Sequence, residues 1–231
     1  TTVTLDIDHD VINVGDEAVI TITLNRTINA TVKLNISGDI KDVAIIDGVG
    51  SYVVSGLGNG TYSINATYAG DDKYTGNNSN VLSLRVNKIS TTVTLQINAS
   101  SINVDDQALI TITLNRTINA TVKLNISGDI KDVAIINGVG TFVARGLGND
   151  TYSINATYAG DDKYTGNNSN VLSLDVNKIP TDVKVSVDSP IFVGENAVIS
   201  VEMNLTLNTT VKVEIDGKTY DVAVVNGKGS F

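Results

Sequence analysis

Apolar and polar residues alternate with a period of two along most of the first ninety residues. Val3, Leu5 and Ile7 alternate with Thr4 and Asp6. The same alternation continues in four later segments, which are Ile20–Leu24, Val32–Ile36, Tyr62–Tyr68 and Leu82–Val86. This pattern predicts β-strands with one buried face and one face in water.

The sequence repeats at an interval of 90 residues. Residues 1–90 and 91–180 differ at 16 positions, so that 74 are identical, and a third, divergent copy starts at residue 181. A period of 90 is too long for a solenoid, whose repeats of about 20–50 residues depend on their neighbours for a core. We therefore predict an array of domains over 1–90, 91–180 and 181–231, the last one incomplete and belonging to a longer array.

Each full repeat contains about seven predicted strands, some of them joined by tight turns. Asp47-Gly48, Asn137-Gly138 and Asn226-Gly227 supply the positive φ angles that two-residue hairpin turns require. Because a single sheet would leave its apolar face in water, the strands are expected to form two packed antiparallel sheets. The predicted fold class is all-β, with tandem immunoglobulin-like β-sandwiches.

Composition supports this fold class and excludes several function classes. Val, Ile and Thr together make up 81 of 231 residues, and these are residues that favour strands. The net charge of −9 offers no basic patch for nucleic acid or for an anionic membrane surface. No apolar run reaches the 18 residues of a membrane span, and no signal peptide opens the sequence. We expect neither nucleic acid as a partner nor membrane insertion of this segment.

Tyr62 lies two residues before the inward-facing Ile64, and Tyr152 repeats this position. The spacing is that of the tyrosine corner of immunoglobulin sandwiches. Together with the run from Gly60 to Tyr74, it resembles the bacterial immunoglobulin-like (Big) repeats of prokaryotic surface proteins, and most of all the tandem repeats of archaeal adhesin-like proteins. The resemblance implies an extracellular, cell-surface stalk or adhesion array and no catalytic residue.

Asn-x-Ser/Thr triplets are abundant, and none has Pro in the middle. The strand-borne triplets fall on the outward phase and the others in turns, where a glycan can be carried. Alternation of Asn, Ser and Thr on outward positions would also produce such triplets without glycans. The fifteen candidate acceptors are Asn25, Asn29, Asn35, Asn59, Asn65, Asn77, Asn98, Asn115, Asn119, Asn125, Asn149, Asn155, Asn167, Asn204 and Asn208.

Two clusters of acidic residues are candidate metal sites. The loop around Asp71 and Asp72 lacks the alternating oxygen ligands and the closing Glu of a calcium loop, so a solvated turn is the better interpretation. Asp8 and His9 become Asn98 and Ala99 in the second repeat, so an array would not depend on them. We predict no metal and no cofactor.

The chain has few of the residues that common catalytic arrangements require. The sequence has no Cys and one His, so a Ser-His-Asp arrangement could occur once at most, and no Gly-x-Ser-x-Gly elbow is present. We therefore predict a non-enzymatic protein.

Two functions remain open for these residues themselves, beside a third, an accessory module of a secreted enzyme whose catalytic domain would lie outside them. The first is a glycosylated structural stalk, whose partners are neighbouring repeats and whose short linkers, Asn87–Thr92 and Asn177–Asp182, contain no Gly and favour a semi-rigid rod. The alternative is a direct adhesive module that binds a glycan or protein through its end loops or a sheet face. Such surfaces rely on aromatic anchors, and only Tyr74 and Tyr164 are expected to be exposed.

Overall fold

The computed structural model describes residues 1–231 and contains strands and no helix. The predicted all-β class is therefore confirmed. The strands of the first repeat are β1 (Val3–Ile7), β2 (Val11–Asn13), β3 (Ala18–Leu24), β4 (Ala30–Ile36), β5 (Asp39–Ile45), β6 (Val49–Val54), β7 (Gly60–Gly70), β8 (Thr75–Asn78) and β9 (Leu82–Asn87).

The second repeat has the same succession of strands. They are β10 (Val93–Ile97), β11 (Ser101–Asn103), β12 (Gln107–Leu114), β13 (Ala120–Ile126), β14 (Asp129–Ile135), β15 (Val139–Arg145), β16 (Asp150–Gly160), β17 (Thr165–Asn168) and β18 (Leu172–Asn177). The remaining strands are β19 (Val183–Val187), β20 (Ile199–Met203), β21 (Thr209–Ile215), β22 (Lys218–Val224) and β23 (Lys228–Ser230).

The first repeat is a sandwich of two sheets. One has the order β1-β3-β6, and the other has the order β2-β9-β7-β4-β5 with β8 added beside β7. All described pairs are antiparallel except β2 with β9, which is parallel. The short strands β2 and β8 go beyond the seven that alternation indicates, because three or four residues carry too little of the pattern to be recognised.

The core lies between the two sheets and is built from the inward phase of each strand. In β3 every second residue is buried, and Ile20 and Ile22 are wholly inaccessible to solvent. Leu34, Ile64 and Leu84 meet them from the opposite sheet in the same apolar cluster. Burying a side chain of this size stabilises the fold by about 1.5–3 kcal/mol, so alternation supplies most of the driving force.

The hairpin between β5 and β6 has the predicted turn. Asp47 and Gly48 adopt φ angles of 51° and 88°, as a type I′ turn requires. A Cβ built on Gly48 would lie 2.5 Å from the carbonyl oxygen of Arg26, so the turn also needs glycine for space. The Asn29 side-chain oxygen accepts a 2.9 Å hydrogen bond from the Asp47 N–H and holds the turn in place.

Asn80 joins the two sheets of the first repeat. Its Oδ1 accepts a hydrogen bond of 2.8 Å from the Leu5 N–H, and its Nδ2 donates one of 3.0 Å to the Leu5 carbonyl. Asn170 makes the same two bonds to Leu95, at 2.8 and 3.1 Å. Nothing in the sequence pattern distinguishes Asn80 from the other loop asparagines, so its role was not predicted.

The chain divides into two compact units. One comprises Thr1–Ser100, Gln107–Arg145 and Thr151–Asp175, and the other comprises Ser101–Asp106, Gly146–Asp150 and Val176–Phe231. The second unit contains a small core of Val201, Val213, Val222 and Val224. The predicted domain boundaries at residues 90 and 180 remain predictions.

Strand β19 is exposed along its whole length, unlike the corresponding β1. Val185 is 55% exposed, whereas Leu5 is 3% exposed. In the first repeat the apolar face of β1 packs against residues of β7 and β9. Residues 181–231 include no counterpart of those two strands.

We expect Asn80→Ala to weaken the contact between the sheets of the first repeat. The variant leaves the Leu5 N–H and carbonyl without their side-chain partner, and an unsatisfied pair of this kind costs about 1–3 kcal/mol. Hydrogen exchange of the Leu5 amide should accelerate by about tenfold or more. The Leu95 amide, bound by Asn170, is the internal control and should exchange as before; equal protection of Leu5 in variant and wild type would contradict the prediction.

Candidate functional site at the junction of the first two repeats

The segment between β9 and β10 pairs with a loop of the second repeat. The Ile89 N–H donates to the Lys163 carbonyl at 2.8 Å, and the Thr165 N–H donates to the Ile89 carbonyl at 2.9 Å. These bonds form a parallel bridge between Ile89 and Tyr164. The linker is therefore one residue of β-structure added to the next repeat and is not a free tether.

Side chains on both sides strengthen this bridge. The Lys88 ammonium donates to the main-chain carbonyl of Asp161. The Arg116 guanidinium donates through Nε and Nη2 to the Ser90 carbonyl, at 3.2 and 3.0 Å. Both cations bind main-chain oxygens of the other partner, and bonds from a charged donor are stronger than neutral ones.

Thr91 closes the junction and is only 2% exposed. Its N–H donates to the Thr165 hydroxyl at 3.2 Å, and its carbonyl accepts a 2.8 Å hydrogen bond from Asn167 Nδ2. Asn77 makes the equivalent bond of 2.9 Å to the Thr1 carbonyl. The first residue of each repeat is thus hydrogen-bonded to the strand that follows the loop, which is β8 in the first repeat and β17 in the second.

A second contact lies at the turn after β2. The Lys163 ammonium lies beside Gly15, where a Cβ built on the glycine would be 3.3 Å from Nζ. Gly15 has φ +96°, which glycine adopts without strain. The loop of the second repeat therefore contacts the first repeat at two separate places, the linker and this turn.

Asp161 shapes the loop that receives the linker. Its Oδ1 accepts hydrogen bonds from the N–H groups of Lys163 and Tyr164, at 2.8 and 2.7 Å. Its Oδ2 accepts a 2.9 Å bond from the Tyr158 hydroxyl. Asp71 makes the same three bonds in the first repeat. These carboxylates, considered above as calcium ligands, organise a tight turn.

The pKa values of Tyr158 and Asp161 are both shifted from their ordinary values. Burial, together with the hydrogen bond to Asp161, raises the pKa of Tyr158 to about 12. Burial also acts to raise the pKa of Asp161, but the N–H donors of Tyr164 and Lys163 outweigh it and the pKa is lowered. In the first repeat the pKa of Tyr68 is raised chiefly by its hydrogen bond to Asp71.

The candidate glycan acceptors lie on the surface, with different exposures. Asn35, Asn65, Asn125 and Asn155 are half-buried on the six-stranded sheets, where Asn35 is paired directly with Asn65 and Asn125 with Asn155. The other eleven are exposed, and they are Asn25, Asn29, Asn59, Asn77, Asn98, Asn115, Asn119, Asn149, Asn167, Asn204 and Asn208. Their use as acceptors remains a prediction.

Many of these asparagines also hold the backbone together. Asn25, Asn115 and Asn204 accept hydrogen bonds of 2.8–2.9 Å from the N–H at position two of their repeats. In a second group the side-chain nitrogen, to which a glycan would be attached, already donates to a carbonyl. That group comprises Asn59, Asn77, Asn149, Asn167 and Asn204.

Two further candidate residues, Tyr62 and His9, make contacts within the first repeat. The Tyr62 hydroxyl donates to the Gly58 carbonyl at 3.0 Å, which is the bond of a tyrosine corner. His9 lies 3.2 Å from Asp8, whose Oδ1 accepts a bond from the Val19 N–H, and this bond is the main cause of the lowered pKa of Asp8. No group of three or more His, Cys, Asp or Glu side chains that could hold a metal occurs in the structure.

Sequence reasoning identified the linker but missed its partner. The signal was available in the duplication, because Asp71–Thr75 and Asp161–Thr165 have the same sequence, Asp-Asp-Lys-Tyr-Thr, and Asn-Lys-Ile precedes each new repeat. A parallel bridge of one residue has no periodicity, so alternation cannot reveal it.

No protein-family model and no curated protein sequence matches the chain. The solved structures that are similar in fold to this chain include the following three. Murine CEACAM1b is 10% identical with a TM-score of 0.33, and the alignment covers 75% of this chain and 99% of that one. The fibronectin(III)-like modules of Clostridium thermocellum CbhA are 15% identical with a TM-score of 0.31, covering 75% and 94%.

The third is a tetra-tandem repeat in the extending region of a large adhesion protein. It is 19% identical with a TM-score of 0.43, covering 100% of this chain and 65% of that one. At these identities the similarity concerns the fold alone. The structure contains no helix with the length and apolar character needed to cross a membrane.

We expect Tyr158→Phe to remove a share of the alkaline pH dependence of stability. Folding raises the pKa of Tyr158 from 10.0 to about 12, so the stability from this shift is complete below pH 10 and is lost as the pH rises toward about 12. Phe does not ionise. Urea midpoints measured below pH 10 and near pH 12 should therefore fall less in the variant than in the wild type.

Tyr62→Phe is the control for this titration. It removes a hydroxyl that donates to the Gly58 carbonyl and not to a carboxylate, so it measures the effect of losing a tyrosine hydroxyl outside the Tyr158–Asp161 pair. An unchanged alkaline slope in Tyr158→Phe would show that the hydroxyl contributes nothing through Asp161.

Proposed function

We propose that the chain is a non-enzymatic structural stalk, a segment of an extracellular cell-surface protein of the adhesin type. The observation that carries the proposal is the junction, in which Ile89 extends a loop of the next repeat as a β-bridge. A protein whose task is spacing must resist bending where its domains meet. A linker hydrogen-bonded through its own main chain meets this need, since every bond must break before the domains turn.

The junction joins four kinds of contact within a few residues. Two main-chain bonds hold Ile89, a lysine and an arginine bind carbonyls, Thr91 is buried, and Lys163 reaches the turn at Gly15. Most connections in a flexible array would be Gly/Ser-rich and solvated. Interactions that must break together stiffen a joint more than any one of them would alone.

The net charge and the candidate glycan acceptors on the surface support the proposal of an exported stalk. We infer that glycans on exposed asparagines, together with the net charge of −9, keep neighbouring stalks apart. The Big-type family and an archaeal source belong to the same proposal, resting on the run from Gly60 to Tyr74 described above.

A second candidate, direct adhesion, has one observation in its favour. The outward face of the three-stranded sheet carries the cross-strand apolar pair Val19 and Val53, which are 36% and 51% exposed. Leu109 and Val143 repeat this pair at 40% and 44%. Against this candidate, Tyr74 and Tyr164 are half-buried and so offer little aromatic surface.

We expect the distance between the first two repeats to be narrowly distributed. The chain has no native cysteine, so spin labels on Ser51→Cys and Thr141→Cys report this distance by pulsed electron paramagnetic resonance. The double substitution Lys88→Gly and Ile89→Gly removes the side-chain contacts and loosens the bridge. It should broaden the distribution by twofold or more.

The equivalent change at Lys178 and Ile179 is the matched control, since both residues are exposed. It should leave the distribution as narrow as in the wild type. A distribution that is already broad in the wild type would contradict the stalk.

Glycopeptide mass spectrometry on protein from its native host should divide the acceptors by the state of their side-chain nitrogen. Asn119 binds the turn through Oδ1 and leaves Nδ2 available, whereas Asn149 uses Nδ2 to bind the Val176 carbonyl at 2.7 Å. Both are exposed and lie in the same repeat. We expect higher occupancy at Asn119; equal or reversed occupancy would contradict this ordering, and bare asparagines throughout would contradict the glycan component.

A further inference from the structure

The first two repeats differ most on the outward face of the three-stranded sheet. Of the 16 positions that differ between the repeats, two lie on the outward face of the six-stranded sheet, at Val11 and Arg85. Six lie on the outward face of the three-stranded sheet, and they are Asp6, Asp8, Glu17, Val19, Ser51 and Ser55. The differences are therefore concentrated on one exposed surface of the sandwich.

These differences change the charge of the face. Three exposed acids of the first repeat are replaced by amides in the second, and the pairs are Asp6 and Gln96, Asp8 and Asn98, and Glu17 and Gln107. Ser55 becomes Arg145, which is exposed and lies directly opposite Gln107 in the sheet. The three acids that the second repeat gains lie outside this face, at Asp105, Asp150 and Asp175.

Both faces keep an exposed apolar pair among these polar residues. Val19 lies opposite Val53 in the first repeat, and Leu109 lies opposite Val143 in the second. Asp8 is fixed beside its pair, because its Oδ1 accepts a 2.8 Å hydrogen bond from the Val19 N–H. An apolar centre inside a polar rim is typical of protein contact surfaces. We define the first face as Asp6, Asp8, Glu17, Val19, Val53 and Ser55, and the second face as Gln96, Asn98, Gln107, Leu109, Val143 and Arg145.

Two molecules could bring these faces together in three combinations, and charge favours one of them. The three acids give the first face a charge of −3, and Arg145 gives the second face +1. His9, which lies 3.2 Å from Asp8, adds a positive charge to the first face only when it is protonated. Two first faces repel each other, and so do two second faces. A first face against a second face brings Arg145 toward carboxylates and lets the two apolar pairs meet.

We propose that the first face of one copy of this chain docks onto the second face of another copy. Val19 and Val53 of one molecule pack against Leu109 and Val143 of the other, and Arg145 binds the carboxylates at the rim. Repulsion between like faces excludes the two other pairings, which is the unfavourable element that specificity requires. Because the two surfaces differ, the association is heterologous and extends a row of molecules unless it closes.

The contact is small, so the association is expected to be weak. Each face has six residues, whereas a stable interface has about 20–30 residues a side. The net charge of −9 on each molecule also opposes association. Asn98 is a candidate glycan acceptor, and a glycan there would cover the second face, so both experiments use chain produced without glycans. The contact does not involve Ile89 or Lys163, so the stalk does not depend on it.

The first experiment is sedimentation velocity of the full chain over a concentration series. The wild type should sediment faster as its concentration rises at low salt, and this change should shrink at about 0.5 M salt, which screens exposed charges. Arg145→Glu should abolish the change, because the second face then repels the first. Arg85→Glu alters the net charge equally on the outward face of the other sheet, so it is the matched control and should behave like the wild type.

The second experiment identifies which faces meet. The chain has no native cysteine, so Val53→Cys and Val143→Cys each introduce a single thiol. Under mild oxidation, a mixture of the two variants should form mixed disulfides several times faster than either variant forms disulfides with itself. Ile40→Cys and Ile130→Cys are the matched control, since both isoleucines are 59% exposed at corresponding positions of the six-stranded sheets. Their mixture should show no such preference.

The outcomes separate this contact from the stalk. Sedimentation that does not change with concentration would overturn docking between copies. An equal loss of association in Arg145→Glu and Arg85→Glu would show that net charge alone is responsible and would also overturn it. Disulfides between like faces that form as fast as mixed ones would overturn the pairing of first with second face. None of these results would alter the distance between the first two repeats, which tests the stalk.

Discussion

The fold depends on holding two sheets together without a disulfide. The chain has no cysteine, so the inward phases of the strands must supply the cohesion that a covalent bond gives many sandwiches of this size. Ile20, Ile22 and Leu34 do so with no solvent exposure. Apolar contact is non-directional, however, and does not by itself set how the sheets align. Directional bonds such as those of Asn80 to Leu5 add that alignment.

The junction between the first two repeats also depends on directional hydrogen bonds. Asp161 folds its loop by accepting two N–H groups and a tyrosine hydroxyl, which leaves the Lys163 carbonyl and the Thr165 N–H facing outward. Those two groups have the spacing that one residue of a neighbouring strand requires, and Ile89 supplies it. A loop that would otherwise be a solvated turn becomes the point at which one repeat is attached to the next.

Alternation was enough to predict the sandwich, because inward and outward phases are properties of single strands. It predicted β3, β4 and β7, and the Asp-Gly and Asn-Gly pairs predicted their hairpins with the correct sign of φ. Short strands such as β2, which pairs in parallel with β9, lack enough residues for a pattern. The pairing of β2 depends on residues more than seventy positions away.

The candidate site was harder to predict for a related reason. In the sequence alone, asparagines at outward positions can be interpreted equally well as glycan acceptors or as ordinary polar residues of an alternating strand pattern. In the folded chain many of them make a third kind of contribution, because Asn29 and Asn119 fix hairpins while Asn59 and Asn149 bind strand carbonyls. A short polar side chain that reaches across a fold cannot be recognised until the fold brings its partner near.

Most of the junction residues are the same in the first two repeats. None of the sixteen differences lies at Arg26, in the segment Asp71–Asn77 or in Asn87–Ile89. Two others do lie at the junction: Gly15, which Lys163 contacts, becomes Asp105, and in the linker Ser90 becomes Pro180. The contact made by this position uses its carbonyl, which Arg116 binds at Ser90 and Asn204 binds at Pro180. A joint built on main-chain groups tolerates this change of side chain, so the linker can vary there while the way in which successive repeats are joined is retained.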